Sequence, residues 1–153
     1  MNMKDERQFV GYSKYRSRLV DGHVHTELCP HGSGDRTAMM IEKAIELRIE
    51  KVCLTEHAPL PKAFAVEYGG DQKAYDTASL KLNQVDSYLE LGLQLQRAYG
   101  THIDISLGFE VDYIPGFETD IQEFLDRYGP LTDDNILSVH FMEGVNNAFY
   151  CLD

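Results

Sequence analysis

The chain has 153 residues, of which 43% are hydrophobic and 25% are charged, a composition typical of one soluble globular domain. Its formal net charge of −11 argues against binding to nucleic acid or to an anionic membrane, because both need a basic surface. The sequence shows no signal peptide, no apolar run of membrane length and only three widely spaced cysteines, which predicts a cytoplasmic protein. An anionic substrate stays open, since bound cations would reverse the local charge.

The chain alternates between short apolar segments and segments with helical periodicity. The pattern predicts a strand ending in "SRLVDGHVH" and then a helix in "RTAMMIEKAIELRIE" with Asp35 as its N-cap. A second strand in "KVCLTEH" and a long loop over 58–73 precede a helix from about Tyr75 to Tyr99, which Gly100 closes. A strand in "HIDISLGFEVDY", a helix in "FETDIQEFLDRYG", a strand in "NILSVHF" and a short extended tail follow. This order predicts an α/β fold with parallel strands, either a small doubly wound sheet or part of a barrel.

Side chains that can bind metal stand at the carboxyl end of each predicted strand: His23 and His25, Glu56 and His57, Glu110 with Asp112 beyond it, and His140. In parallel α/β folds this edge of the sheet carries the functional sites. Residues two apart on a strand point the same way, so His23 and His25 can hold one ion while Val24 turns into apolar packing. His31 follows in a loop from which it can reach a neighbouring ion.

Some of these residues have a structural alternative. Adjacent strand residues face opposite ways, so His57 is the predicted ligand and Glu56 a supporting residue. Cys29 is either a ligand or a packed thiol. His102 stands eight residues before Glu110. At roughly 3.3 Å per strand residue it belongs at the opposite end of the sheet, which predicts no role in the site.

Four stretches, "DGHVHTELCPHGSGD", "LTEHAPLP", "LGFEVDYIPGFE" and "ILSVHFMEG", resemble the PHP (polymerase and histidinol phosphatase) family. The likeness is greatest to its monofunctional histidinol-phosphate phosphatases. The stretches stand in family order from about residue 20 to residue 144, and the set of four is far more specific than one His-x-His pair. The resemblance implies the N-terminal portion of a seven-stranded (βα) barrel with a centre of two or three divalent ions, either zinc, iron or manganese.

The resemblance also implies the metal ligands: His23 and His25 for a first ion, Glu110 bridging the first and second, His140 for the second, and His31 and His57 for the third. No side chain is predicted as the nucleophile, because a hydroxide held by the ions would attack phosphorus. The expected substrate is a small phosphate monoester, L-histidinol phosphate, which is hydrolysed to L-histidinol and phosphate in histidine biosynthesis.

The four stretches cover only the N-terminal half of a family member, so 1–153 is expected to be a single, incomplete PHP domain. The other half would bring a further histidine, an Asp-x-His pair and basic residues for the phosphate. We therefore expect low activity, and self-association through the open edge of the barrel. One alternative is a PHP nuclease module, which would need a basic track that the sequence lacks. Another is a metal-binding module without turnover.

Overall fold

The computed structural model describes residues 19–68, 72–144 and 149–151. Its elements in chain order are β1 (Val20–Val24), α1 (Thr37–Glu46), β2 (Lys51–His57), α2 (Phe64–Glu67), α3 (Gln72–Thr77), α4 (Val85–Tyr99), β3 (Asp104–Asp112), α5 (Glu118–Tyr128), β4 (Ile136–Ser138), β5 (Phe141–Glu143) and β6 (Phe149–Cys151). Single-turn 3-10 helices at Leu82–Gln84 and Gly129–Leu131 precede α4 and follow α5. None of the helices in these ranges has both the length and the hydropathy that crossing a membrane requires.

The four strands β1 to β4 form one parallel sheet in sequence order. Strand β2 pairs with β3 without interruption, which sets His57 opposite Glu110. Strand β1 shifts its register against β2 by one residue between Asp21 and Val24. Strand β4 pairs only with the last three residues of β3. The carboxyl ends of all four strands therefore meet at one edge, and the predicted α/β order with parallel strands is confirmed.

The main core lies between the sheet and helices α1, α4 and α5. Alternate residues of β2 and β3 supply one side of it, and the helices supply the other: Val52, Leu54, Ile105, Leu107, Phe109 and Val111 pack with Ile41, Val85, Tyr88 and Leu89. This alternation sends the intervening strand residues, among them His57 and Glu110, to the other face of the sheet. Val24 packs against the main core, as predicted.

Ahead of β4, side chains rather than a strand backbone accept hydrogen bonds from the edge of β3. The backbone N–H groups of Leu107 and Phe109 donate to the side chains of Asp133 and Asn135. The loop lies so close to β3 that a Cβ atom at Gly108 would stand 1.5 Å from the Asp134 carbonyl oxygen. Glycine at this position therefore permits the approach that brings β4 to the edge of the site.

A second, aromatic cluster joins α2 to the β5–β6 hairpin. The ring of Phe64 is fully buried, and its centroid lies 5.0–5.3 Å from those of Phe117, Phe141 and Phe149. Strands β5 and β6 pair antiparallel, outside the parallel sheet. The predicted extended tail is thus present as β6, while residues 145–148 lie outside the described residues.

The predicted helix from about Tyr75 to Tyr99 is wrong as a single helix, because residues 78–84 are not α-helical. Helix α3 ends at Thr77, and α4 begins only at Val85. The chain between them turns inward, because Ala78–Leu80 are buried and the Leu80 N–H donates to the His57 carbonyl. Tertiary packing outweighs helical periodicity here. The C-terminal end at Gly100 is confirmed, and the predicted loop over 58–73 contains the short helix α2.

Two further boundaries differ from the prediction. Asp35 is not the N-cap of α1, which begins at Thr37. Asp35 instead accepts a hydrogen bond from Ser33 Oγ, and the Thr37 N–H donates to the Glu27 carboxylate. The predicted fourth strand is also divided, because β4 ends at Ser138 and β5 belongs to the hairpin. At this break the His140 N–H donates a hydrogen bond to the carboxylate of Asp112, the last residue of β3.

Candidate metal centre

The carboxylate of Glu110 is the centre of the cluster at the carboxyl edge of the sheet. It is only 3% exposed. Its two oxygens lie close to one ring nitrogen of each of four histidines: 2.8 Å from His23 Nε2, 3.4 Å from His25 Nε2, 3.3 Å from His57 Nδ1 and 3.4 Å from His140 Nε2. These side chains come from the ends of four different strands, so the cluster depends on the sheet being formed.

His31 joins the same cluster from the loop after β1. Its ring centroid lies 5.0 Å from that of His57 and 6.3 Å from that of His25. The rings of His25 and His57 stack at 4.4 Å, and that of His140 meets His57 edge-on at 5.4 Å. The structure therefore brings together all six residues that the sequence singled out as ligands.

Three of these histidines have one ring nitrogen held by an acceptor outside the cluster. His25 Nδ1 lies 3.1 Å from Glu56 Oε1, His140 Nδ1 lies 3.0 Å from Asp112 Oδ1, and His31 Nδ1 lies 2.7 Å from the Thr77 carbonyl oxygen. Carboxylate and carbonyl oxygens only accept, so Nδ1 carries the hydrogen and Nε2 of the neutral ring keeps its lone pair. Histidines that bind metal are held in this way.

His57 has a buried nitrogen that lacks a hydrogen bond. The residue is 5% exposed, and its Nδ1 atom, although 3.3 Å from a Glu110 oxygen, makes no hydrogen bond within the described part of the chain. Burial lowers the pKa of the His57 imidazole, which favours its neutral form. A buried polar atom without a partner is costly unless it has a ligand. This orphaned nitrogen, among imidazoles and a carboxylate, fits a bound transition-metal ion.

Glu56 supports a different histidine from the one expected. Its carboxylate accepts hydrogen bonds from Thr26 N–H and Thr26 Oγ1 and lies against the His25 ring. Its contact with His57 is limited to the backbone N–H of that residue. The prediction that Glu56 and His57 face opposite ways holds, but the imidazole that Glu56 contacts belongs to β1.

Asp112 is not among the six predicted ligands, but the structure gives it a supporting role. It accepts hydrogen bonds from the His140 N–H and from Ser138 Oγ, in addition to its contact with the His140 ring. It thus holds Ser138 and His140, which lie at the break between β4 and β5, against the end of β3. Its position two residues after Glu110 indicates this role in the sequence, because that spacing puts both carboxylates on one face of β3.

Cys29 stays an alternative ligand. Its Sγ atom and ligand atoms of His25 and His57 lie within 4.8 Å of one another. Burial raises the pKa of the Cys29 thiol, which favours the neutral form over the thiolate that binds metal. His102 stands just before β3, at the end of the sheet opposite Glu110, as predicted.

Among the described residues, three groups of side chains in and beside the cluster have the spacing of metal ligands: His23, His25 and Glu110; His57, Asp112 and His140; and His25, Cys29 and His57. The groups share His25 and His57, so they adjoin one another. The arrangement can therefore accommodate more than one ion, with nitrogen and oxygen ligands that suit zinc, iron or manganese.

Comparisons with known proteins agree with this geometry. The PHP domain family matches residues 21–151. The histidinol-phosphatase of Bacillus subtilis (strain 168) is 40% identical over 133 residues, which are 87% of this chain and 47% of that protein. A solved candidate histidinol phosphatase from Listeria monocytogenes superposes with a TM-score of 0.84 at 42% identity, covering 88% of this chain and 49% of that one.

A second solved structure adds ligands to the comparison. It is the histidinol phosphate phosphatase of Lactococcus lactis in complex with Zn, L-histidinol and phosphate, with a TM-score of 0.63 at 25% identity over 82% of this chain and 41% of that one. The chain spans about half the length of the relatives it matches. Its four parallel strands are part of a (βα) PHP barrel, as predicted. The chain belongs to the PHP domain family.

Proposed function

We propose that this chain carries ligands of the metal centre of a phosphatase that hydrolyses L-histidinol phosphate to L-histidinol and phosphate. The observation that carries the proposal is the buried Glu110 carboxylate in contact with four imidazoles. The relative from Lactococcus lactis, which was solved with Zn, L-histidinol and phosphate, supports the choice of substrate.

Two or three divalent ions, either zinc, iron or manganese, would be held by the clustered side chains: His23, His25, His31, His57, Glu110 and His140. When bound, the ions supply Lewis acidity, which activates water and neutralises the oxygens of a phosphoryl group. The chain's own part is to place neutral imidazole nitrogens around one carboxylate and to hold them there. The buried carboxylates of Glu56 and Asp112 and the carbonyl of Thr77 do this for three of the five rings.

The proposal is tested by metal content and phosphate release in matched variants. Glu110→Gln keeps the shape of the side chain but removes the charge that offsets the ions, and Glu110 contacts four rings. We expect it to lose more bound metal, measured by plasma emission, than His140→Ala does. His102→Ala, at the other end of the sheet, is the control and should keep its metal. Equal losses in all three variants would contradict a metal centre at Glu110.

Phosphate release from L-histidinol phosphate is measured on the chain alone and with the carboxyl-terminal half of the Bacillus subtilis relative added. The chain corresponds to about half of that relative, so we expect slow turnover alone and faster turnover with the added half. If the chain binds metal and the mixture releases no phosphate, the substrate assignment is wrong. Free cysteines at all three cysteine positions support a cytoplasmic setting for the reaction.

A further inference from the structure

Glu56 is a completely buried carboxylate that lies beside the metal centre and is not itself among the proposed ligands. Its side chain is fully excluded from solvent. Thr26 donates to Oε2 twice, from its N–H at 2.9 Å and from its hydroxyl at 2.7 Å. The other oxygen, Oε1, faces the His25 ring at 3.1 Å and the His57 N–H at 3.2 Å. Both oxygens are therefore satisfied, and the orientation of the carboxylate is fixed from two sides.

The side chain is an anion despite its burial. Three donors, the Thr26 N–H and hydroxyl and the His57 N–H, point at its two oxygens, which is the arrangement that a carboxylate accepts. Among the ion pairs of the described residues, the one Glu56 makes is with His25. A buried carboxylate is costly unless donors satisfy its oxygens, and the His25 ring is the side-chain donor on Oε1.

We propose that Glu56 is a positioning residue, which holds His25 in the form that carries hydrogen on Nδ1 and directs the lone pair of Nε2 at the metal centre. The inference rests on the proposed function and deepens it. The geometry agrees: with Nδ1 bound to Glu56, the Nε2 atom of the same ring lies 3.4 Å from Glu110 Oε2. Thr26 acts one step further out, because its two donors keep the carboxylate from rotating.

The substitution Glu56→Gln separates this role from simple packing. The glutamine amide has nearly the same shape but only one accepting oxygen. The two donors of Thr26 take that oxygen at the Oε2 position, which turns the NH₂ group toward His25 Nδ1. The ring must then accept at Nδ1 and carry its hydrogen on Nε2, where a metal can no longer bind.

The first measurement is the tautomer of each histidine in the metal-free chain, by long-range ¹H–¹⁵N NMR of ¹⁵N-histidine-labelled protein. In the wild type we expect His25 to carry hydrogen on Nδ1, and in Glu56→Gln on Nε2. His31 is an internal control, because its Nδ1 is held by a main-chain carbonyl that the substitution does not touch. An unchanged His25 tautomer in a folded Glu56→Gln variant overturns the proposal.

The second measurement is the affinity for Zn²⁺, by competition with a chromophoric chelator. We expect Glu56→Gln to weaken Zn²⁺ binding about 10- to 100-fold, and Glu56→Asp, which keeps the charge, to recover part of the loss. If Glu56→Gln does not fold by circular dichroism, Glu56→Asp and Thr26→Val decide the matter. Each should weaken Zn²⁺ binding by a smaller factor, and wild-type affinity in both overturns the proposal. A wild-type chain that shows the expected tautomers but binds no Zn²⁺ refutes the proposed function and leaves the positioning of His25 supported.

Discussion

Replacing Tyr88 by phenylalanine should destabilise the fold by removing one hydroxyl group. Tyr88 lies on α4 and is fully buried. Its hydroxyl lies 2.5 Å from the Gly108 carbonyl oxygen and 3.0 Å from that of Leu54, and it accepts the Glu56 N–H at 3.3 Å. The group therefore joins β2 to β3 just beneath the metal ligands. Phenylalanine keeps the ring and leaves no cavity, so the loss is confined to hydrogen bonds.

The magnitude follows from what is left unpaired. One hydroxyl hydrogen serves one carbonyl at a time, so the substitution removes one donated and one accepted hydrogen bond. Each buried group left without a partner costs about 1–3 kcal/mol, and the longer bond to Glu56 belongs at the low end. We expect Tyr88→Phe to lower the free energy of unfolding by about 2–4 kcal/mol, a large part of the stability of a small domain.

The assay is urea denaturation followed by circular dichroism at 222 nm, with Tyr99→Phe as the control. Tyr99 lies on the same helix, but its hydroxyl donates to the exposed Glu42 carboxylate. An exposed bond of this kind contributes little, so the control should stay within about 0.5 kcal/mol of the wild type. If the two variants are equally stable, the hydroxyl of Tyr88 does not hold the two strands together.

Three further outcomes follow from the same structure. Burial raises the pKa of Tyr88 above its ordinary value, so above about pH 10 the unfolded chain releases a proton that the folded chain keeps. Stability should therefore fall with rising pH there, and by less in Tyr88→Phe when urea titrations are repeated from pH 8 to 11. Gly108→Ala should lower the free energy of unfolding by more than about 3 kcal/mol, because the added Cβ meets a carbonyl oxygen. Gly129→Ala places its Cβ in open space and should melt at nearly the wild-type temperature. Leu137 on β4 is 70% exposed, so the chain should associate with rising concentration in sedimentation velocity and Leu137→Lys should associate less; a monomeric wild type would contradict this.

The strands could be predicted from the sequence better than the segments between them. Strand β2 occupies the predicted stretch "KVCLTEH", Lys51–His57, because its apolar run is short and is followed by prolines. The interruption of the predicted helix at residues 78–84 has a physical cause. The spacing of apolar residues shows which side chains are buried but not whether the backbone between them is helical. Ala78–Leu80 are buried in a non-helical turn that is hydrogen-bonded to the end of β2. Only the packed sheet shows that the chain must bend there.

The positions of the candidate ligands could also be predicted, since strand ends in parallel folds meet at one edge. The partners of those ligands could not. The position of Glu56 beside His25 depends on how β1 aligns with β2, and that register shifts by one residue before Val24. A shift of this size is invisible in a single sequence, although it decides which imidazole a buried carboxylate touches.

The three anchored histidines differ in what a mutation can do to them. His25 and His140 are held by side-chain carboxylates, so a single substitution at Glu56 or Asp112 removes the anchor. His31 is held by the main-chain oxygen of Thr77, an atom that nearly every amino acid at that position would still supply. In a saturation library selected for metal binding, position 77 should therefore accept many amino acids, limited mainly by helix geometry, while positions 56 and 112 accept few. A single substitution of the acceptor can thus remove the hydrogen bond to His25 or His140, but not the one to His31.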